Sequence, residues 1–255
     1  MTQAIQKKLN DSAFARWTAL ILVALTMFFG YMFVDVLSPL QNMLESTRGW
    51  SPTLFGLYGG SEFILNVCGF LLVAGIILDK MGVRFTGILS ASLMVLGAGI
   101  KFYGLSNYFY EGGFGYEFLS SFLTDIPASA KLACLGVMVF GCGTEMAGVT
   151  VSRAIVKWFT GKELALAMGL EMAIARLGVF AVFSLSPWVA NWGGDPSVAR
   201  PVAVVGLLLC IGLLTYIAFS VMDFKLDRQT EADTPIGETE EPFKVADLKN
   251  LFSSK

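Results

Sequence analysis

Gly75-Ile76-Ile77-Leu78-Asp79-Lys80-Met81-Gly82-Val83-Arg84 is a short charged loop set between two long apolar runs. A turn this tight needs glycine, and Asp79 can cap a helix or pair with cationic groups where helices meet at a membrane face. The run before the loop covers 52–78 and the run after it 85–106. Each reaches the roughly 20 apolar residues that cross the hydrocarbon core of a bilayer. Further runs at 17–39, 129–151, 164–189 and 201–222 bring the predicted spans to six, which makes the chain an all-α, polytopic membrane bundle. Pro52 and Pro201 stand near predicted helix starts, where a missing N–H costs little, while Pro39 and Pro187 stand near predicted ends.

Composition agrees with this reading. Of 255 residues, 55% are hydrophobic and only 15% charged, with a mean hydropathy of +0.66, whereas soluble domains carry about 25% charged residues. Histidine is absent, which removes Ser-His and Cys-His nucleophile pairs, His-ligated zinc and a histidine proton switch. Cys68, Cys134, Cys142 and Cys210 lie in apolar runs without CxxC spacing, so they read as small packing residues rather than metal or redox ligands. No basic stripe supports nucleic-acid binding. No Gly-x-x-x-x-Gly-Lys-Ser/Thr loop appears, so ATP is not the expected direct energy source, and no cofactor or metal is expected.

Direction follows from the basic residues. Lys7, Lys8, Arg16, Lys80, Arg84, Arg153, Lys157, Lys162, Lys225, Arg228, Lys244, Lys249 and Lys255 fall on one side, 13 of the 18. Arg48, Arg200 and Lys131 fall on the other. The positive-inside rule then places both ends of the chain in the cytoplasm. Lys7, Lys8 and Arg16 precede a run of full spanning length with no small-residue cleavage site after it, so a span is expected there and not a signal peptide. The long outer connection, 107–128, carries Tyr108, Phe109, Tyr110, Phe114, Tyr116 and Phe118, which reads as an aromatic belt at the membrane surface ahead of a substrate gate. Three regions are expected: a cytoplasmic segment 1–16, a six-helix bundle 17–222, and a polar cytoplasmic linker 223–255 containing Glu231, Asp233, Glu238, Glu240 and Glu241.

The loop at Gly75–Arg84 resembles the cytoplasmic signature of the major facilitator superfamily between its second and third helices, with Gly75, Asp79, Lys80, Gly82 and Arg84 matching. Val83 departs from a usually basic position, and Ile77 stands in for leucine. Lys157-Trp158-Phe159-Thr160-Gly161-Lys162-Glu163-Leu164-Ala165-Leu166-Ala167-Met168-Gly169 is similar to the family's connection between helices four and five. The resemblance implies the N-terminal half of a 12-helix fold, a linker leading to a second six-helix half, and a motif that steadies the gate without binding substrate. Arg153 either pairs with Asp79 in that motif or is an ordinary positive-inside residue. Ala165, Gly169 and Ala173 on helix five, and Gly141, Gly143 and Gly148 on helix four, allow helices to approach closely. In the family, helix five packs against the opposite half.

Ionisable residues at membrane depth are Asp35, Glu62, Glu145, Glu171 and Arg176, with Lys101 and Lys131 nearer the outer boundary. Each costs roughly 2.5–3.5 kcal/mol at a helix centre, so each needs a partner or a watered cavity. Counted from their inner helix ends, Glu145 and Arg176 differ in depth by roughly 9 Å. They neutralise each other, or they hold the ammonium and the carboxylate of a zwitterion, for which glutamate and the planar arginine fork are suited. Glu171 is expected on another face from Arg176. Tyr31 and Asp35 share a face of helix one, as Glu62 and Asn66 do on helix two. The resemblance puts both helices on the central cavity, where Asp35 or Glu62 is a candidate for carrying a coupling proton.

A glutamate on helix four with an arginine on helix five is similar to the lysosomal dipeptide uniporter branch and its bacterial relatives. Helix five lacks the Gly-Pro signature of drug/proton antiporters. The expected function is transport of a small zwitterion or anion, a dipeptide or amino acid first, by alternating access. A non-transporting assembly or sensor subunit and a carrier for organic anions such as monocarboxylates are the alternatives, and enzymatic activity is not expected. Expected partners are lipid, a small-molecule substrate and the second six-helix half, with the cell (inner) membrane as residence, or the lysosomal membrane in a eukaryote.

Overall fold

The structure is a computed structural model that describes residues 8–231. The readings made on Lys7 and on the tail from 232 to 255 lie outside these residues.

Apolar segments in lipid must satisfy their backbone polar groups internally, and helices are the local solution. Span one is Ala13–Val34, span four Ala128–Phe159, span five Leu164–Ala190 and span six Ala199–Glu231. A single helical stretch, Pro52–Leu105, supplies both spans two and three. It folds back at Gly82, whose φ of 73° and ψ of 174° break the helix. Lys101 Nζ lies 5.2 Å from the Tyr58 ring, although on a straight helix these residues would be about 65 Å apart. Spans two and three are therefore an antiparallel hairpin over 52–81 and 83–105. Leu9 N–H donates to Gln229 Oε1 at 2.7 Å, so span one begins where span six ends, as an even number of crossings requires.

Span one packs against spans four, five and six; span three packs against four and six, and span two against four. Glycines set the closest of these contacts. A Cβ on Gly97 would stand 2.5 Å from the Gly136 carbonyl, so spans three and four touch backbone to backbone. Hydrogen bonds pin span six: Thr26 Oγ1 donates to the Gly212 carbonyl at 3.0 Å, and Tyr216 donates to the Val83 carbonyl at 2.9 Å. Spans two and five keep apolar side chains outward, among them Val67, Leu72, Met172 and Phe180.

Several boundaries differ from the sequence reading. Span one stops at Val34, before Pro39, because Asp35 closes the end by accepting from Ser38 N–H at 3.0 Å and Ser38 Oγ at 3.1 Å. Pro187 lies inside the last turn of span five, which continues to Ala190. Span six runs past residue 222 to Glu231, so the polar residues 223–231 are helical; ion pairs to spans three and four hold them. Cys142 is buried, but Cys68 and Cys210 face outward instead of packing in the core. The outer connection folds into two short helices, Asn107–Tyr110 and Tyr116–Ser120, with Phe109 buried while Tyr108, Phe114 and Phe118 stay exposed.

Candidate functional site

Span one is the ruler that sets the depth of every other group. Its Phe33 ring packs at a tilt on Phe140 of span four with centroids 4.8 Å apart, and a Cβ on Gly148 would stand 4.0 Å from Met27. Spans one and four thus run antiparallel with Glu145 at the level of residues 28–30. Span five runs parallel to span one, and Gly178 presses on the Phe28 carbonyl and Met32. Arg176 therefore sits at the same level, its guanidinium carbon 5.0 Å from the Tyr31 ring centroid. The two residues differ in depth by no more than about one helical turn, less than the separation counted along each helix alone. They do not form an ion pair among the described residues. Glu145 is half-buried and Arg176 exposed.

Glu62 sits across span four from this level, where a Cβ on Gly141 would collide with its backbone carbonyl. Its carboxyl is buried and lies in electrostatic reach of Lys101, Glu145 and Asp35. Asn66 opens a π-helical turn, Asn66–Phe70, in which Gly69 takes a φ of 109°. Such turns recur at functional sites. Asn66 Nδ2 donates to the Glu62 carbonyl at 3.4 Å, while its Oδ1 is buried without a partner among the described residues. Asp35 is the terminal cap of span one, half-buried, and not a mid-span residue. Glu62 therefore lies in electrostatic reach of Asp35, Glu145 and Lys101, while Arg176 faces Tyr31. Glu171 is buried on span five, apart from this group.

The sequence reading missed the importance of Lys101. It is fully buried, with Nζ donating to the Phe33 carbonyl at 3.4 Å and lying 4.3 Å from the Phe33 ring and 5.2 Å from the Tyr58 ring. Tyr58 is buried too, and its hydroxyl has no hydrogen-bond partner among the described residues. The charge cost that singled out Glu145 applied equally to Lys101; its place near the end of an apolar run hid it. Tyr58 stands four residues before Glu62, a spacing that puts both on one helix face.

At the basic end, Arg153 is ion-paired with Asp79. Lys80 is exposed, Gly82 makes the turn, and Gly75 makes no close approach. Arg84 reaches span six instead, 3.3 Å from Asp227 and 3.9 Å from Asp223. Asp223 is fully buried and accepts from Lys157 Nζ at 2.8 Å and Trp158 Nε1 at 3.0 Å. Its spacing of four from Asp227 was the available signal, lost when both were read as linker. The N-terminal turn is tied to the loop after span four by Lys162–Asp11 at 2.8 Å and Arg16–Glu163 at 3.2 Å. The hydrogen bond from Lys162, helped by the Lys8 N–H, holds the Asp11 carboxyl below its usual range.

A groove of 740 Å³ lies elsewhere, against spans three and four and the outer connection. Its lining by Val95, Leu96, Ile100, Phe118 and Leu135 is apolar and suits lipid better than a charged solute.

The chain matches the sequence model of the Major Facilitator Superfamily over residues 23–255. Among curated proteins it is similar to the lysosomal dipeptide transporter MFSD1 of Bos taurus, 30% identical over 46% of this chain and 26% of that protein. The MFSD1 of Pongo abelii is 25% identical over 92% of this chain and 48% of its own length. A solute carrier family 49 member 4 homolog from Xenopus tropicalis is 28% identical over 77% of this chain and 37% of its own length. The chain thus spans at most about half the length of the curated relatives it matches. No solved structure matches it.

Proposed function

Because the chain belongs to the Major Facilitator Superfamily, we propose that it is one six-span half of a carrier that moves a small zwitterion, a dipeptide first, by alternating access. The observation that carries this reading is the shared depth of Glu145 and Arg176 with no ion pair between them. Two opposite charges held at one level of a membrane bundle, each left open, suit the ammonium and carboxylate of one solute. Tyr31 orients the guanidinium; Glu62 and Asn66 complete the site, and Asp35 or Glu62 remains the candidate for a coupling proton. Similarity to proteins named as lysosomal dipeptide transporters supports the dipeptide over a single amino acid.

The end bearing Lys80, Arg84, Arg153, Lys157 and Lys162 is proposed to face the cytoplasm. There Gly75, Asp79, Lys80, Gly82, Arg84 and Arg153 form the gate element, in which the Asp79–Arg153 pair clasps spans two and four. Its partner is a second six-span half that covers the face bearing Arg176, within the inner membrane or, in a eukaryote, the lysosomal membrane.

The test is uptake by the full-length protein in proteoliposomes, with labelled Ala-Ala, alanine and lactate offered in parallel. Saturable uptake is expected, fastest for Ala-Ala. Lactate transported in preference would replace the zwitterion reading by an organic-anion carrier. No uptake of any of the three would favour a non-transporting subunit.

A further inference from the structure

Span three carries two apolar grooves that meet at Val95 and Gly99. One, of 740 Å³, lies between spans three and four and is flanked by Phe114 and Phe118 of the outer connection. The other, of 380 Å³, lies between spans three and six, against Val202, Gly206 and Leu207. A Cβ on Gly99 would meet nothing within 4 Å, so this exposed glycine is a low saddle between the grooves and not a packing contact. Val95–Tyr103 rises about 12 Å along the helix axis, most of one leaflet of a hydrocarbon core roughly 30 Å thick. The rim of the larger groove is basic. Lys131, in the first turn of span four beside Leu132, donates to the Leu119 and Phe122 carbonyls, with Nζ 4.6 Å from the Phe122 ring. Among the described residues it makes no ion pair; Glu117 and Asp125 of the outer connection are exposed and not joined to it. An ammonium has three donors, and two carbonyls leave its charge without an anion.

We propose that the two grooves hold one diacyl phospholipid from the leaflet at the outer connection, its chains straddling Gly99 and its phosphate against Lys131. Two chains on one headgroup match two apolar grooves that share one wall. The phosphate supplies the anion that no carboxylate provides, in a charge-assisted hydrogen bond with the remaining ammonium donor. An apolar helix of a partner protein would fill one groove and leave Lys131 without that anion. Bound there, the lipid ties spans three, four and six to the outer connection. The site lies away from the span-five face proposed for the second half, and it does not depend on which solute is carried.

The test is titration of delipidated full-length protein in detergent with dioleoylphosphatidylglycerol, read as the rise in melting temperature, whose midpoint gives an apparent affinity. Dioleoylglycerol, with both chains and no phosphate, and oleoyl-lysophosphatidylglycerol, with the phosphate and one chain, are titrated in parallel. Each is expected to bind wild type about tenfold more weakly than the two-chain phospholipid. Gly99→Phe fills the saddle and is expected to weaken phosphatidylglycerol about tenfold or more. Lys131→Gln keeps a donor for the two carbonyls but not the charge. It is expected to weaken phosphatidylglycerol about tenfold and leave dioleoylglycerol unchanged, which a merely structural role for Lys131 would not do. Should Gly99→Phe fail to fold, Phe118→Ala removes an exposed flank of the larger groove and is expected to weaken phosphatidylglycerol about fivefold. An affinity within about twofold of wild type in Gly99→Phe, or in Phe118→Ala where it stands in, marks the lipid as unspecific annulus and overturns the proposal. Equal affinity of wild type for all three lipids does the same. A wild-type dimer in sedimentation that Gly99→Phe dissolves, with no stabilisation by lipid, assigns the grooves to a second copy and rejects it.

Discussion

Arg176→Ala is expected to lower dipeptide uptake by about a hundredfold or more while leaving the fold intact. The guanidinium is exposed, lies 5.0 Å from the Tyr31 ring centroid, and makes no ion pair among the described residues. Removing it breaks no pair there, so stability should change by less than about 1 kcal/mol. A carboxylate bound by its fork loses charge-assisted hydrogen bonds of about 1.5–3 kcal/mol each, and about 2.7 kcal/mol corresponds to a hundredfold. Arg176→Lys should recover only part of the rate, because a point charge lacks the planar two-bond fit. Initial uptake rates in proteoliposomes, normalised to folded protein, measure both. A rate within threefold of wild type in Arg176→Ala would move the binding site elsewhere.

Asp223→Ala is expected to be the most destabilising single change at the basic end. Its carboxylate is fully buried and joins three elements: Lys157 and Trp158 of span four, Arg84 of span three, and its own span six. Breaking a buried ion pair by deleting one partner typically costs about 3–5 kcal/mol. The lower end applies here, since Lys157 and Arg84 are partly exposed and can recover water. Asp223→Asn should fall between, because a neutral amide still accepts from Trp158 but leaves Lys157 and Arg84 with Asp227 as their remaining acidic partner. Thermal unfolding in detergent reads the order wild type, Asn, Ala. Equal melting temperatures for wild type and Asp223→Ala would show that the charge network does not hold span six in place.

The six crossings were legible because lipid demands long apolar helices, and the glycine at 82 announced the hairpin between spans two and three. Gly141 was equally readable as a point of close approach, and it meets the Glu62 backbone. Relative depth was not readable. Counting along a helix fixes a residue's height only against its own ends, whereas Glu145 and Arg176 are levelled by where Gly148 and Gly178 dock on span one. Burial of Lys101 was hidden for the same reason: two aromatic rings from other spans cover it, and no local pattern reveals them. Span six looked shorter than it is, because its last turns are polar and are stabilised by partners on spans three and four. The π turn at Asn66–Phe70 left one trace in the sequence, Gly69, which is indistinguishable there from a packing glycine.

The claim that one solute spans Glu145 and Arg176 is tested most directly by blocking its two ends in turn. Competition with labelled Ala-Ala uptake is measured for N-acetyl-Ala-Ala, which lacks the ammonium, and Ala-Ala-amide, which lacks the carboxylate. The account predicts that neither analogue competes in the wild type. Read as thermal stabilisation of the purified variants, since their uptake is expected to be lost, Glu145→Gln stops discriminating against the acetylated analogue alone, and Arg176→Ala against the amide alone. Wild-type protein inhibited equally by Ala-Ala and both analogues would contradict it.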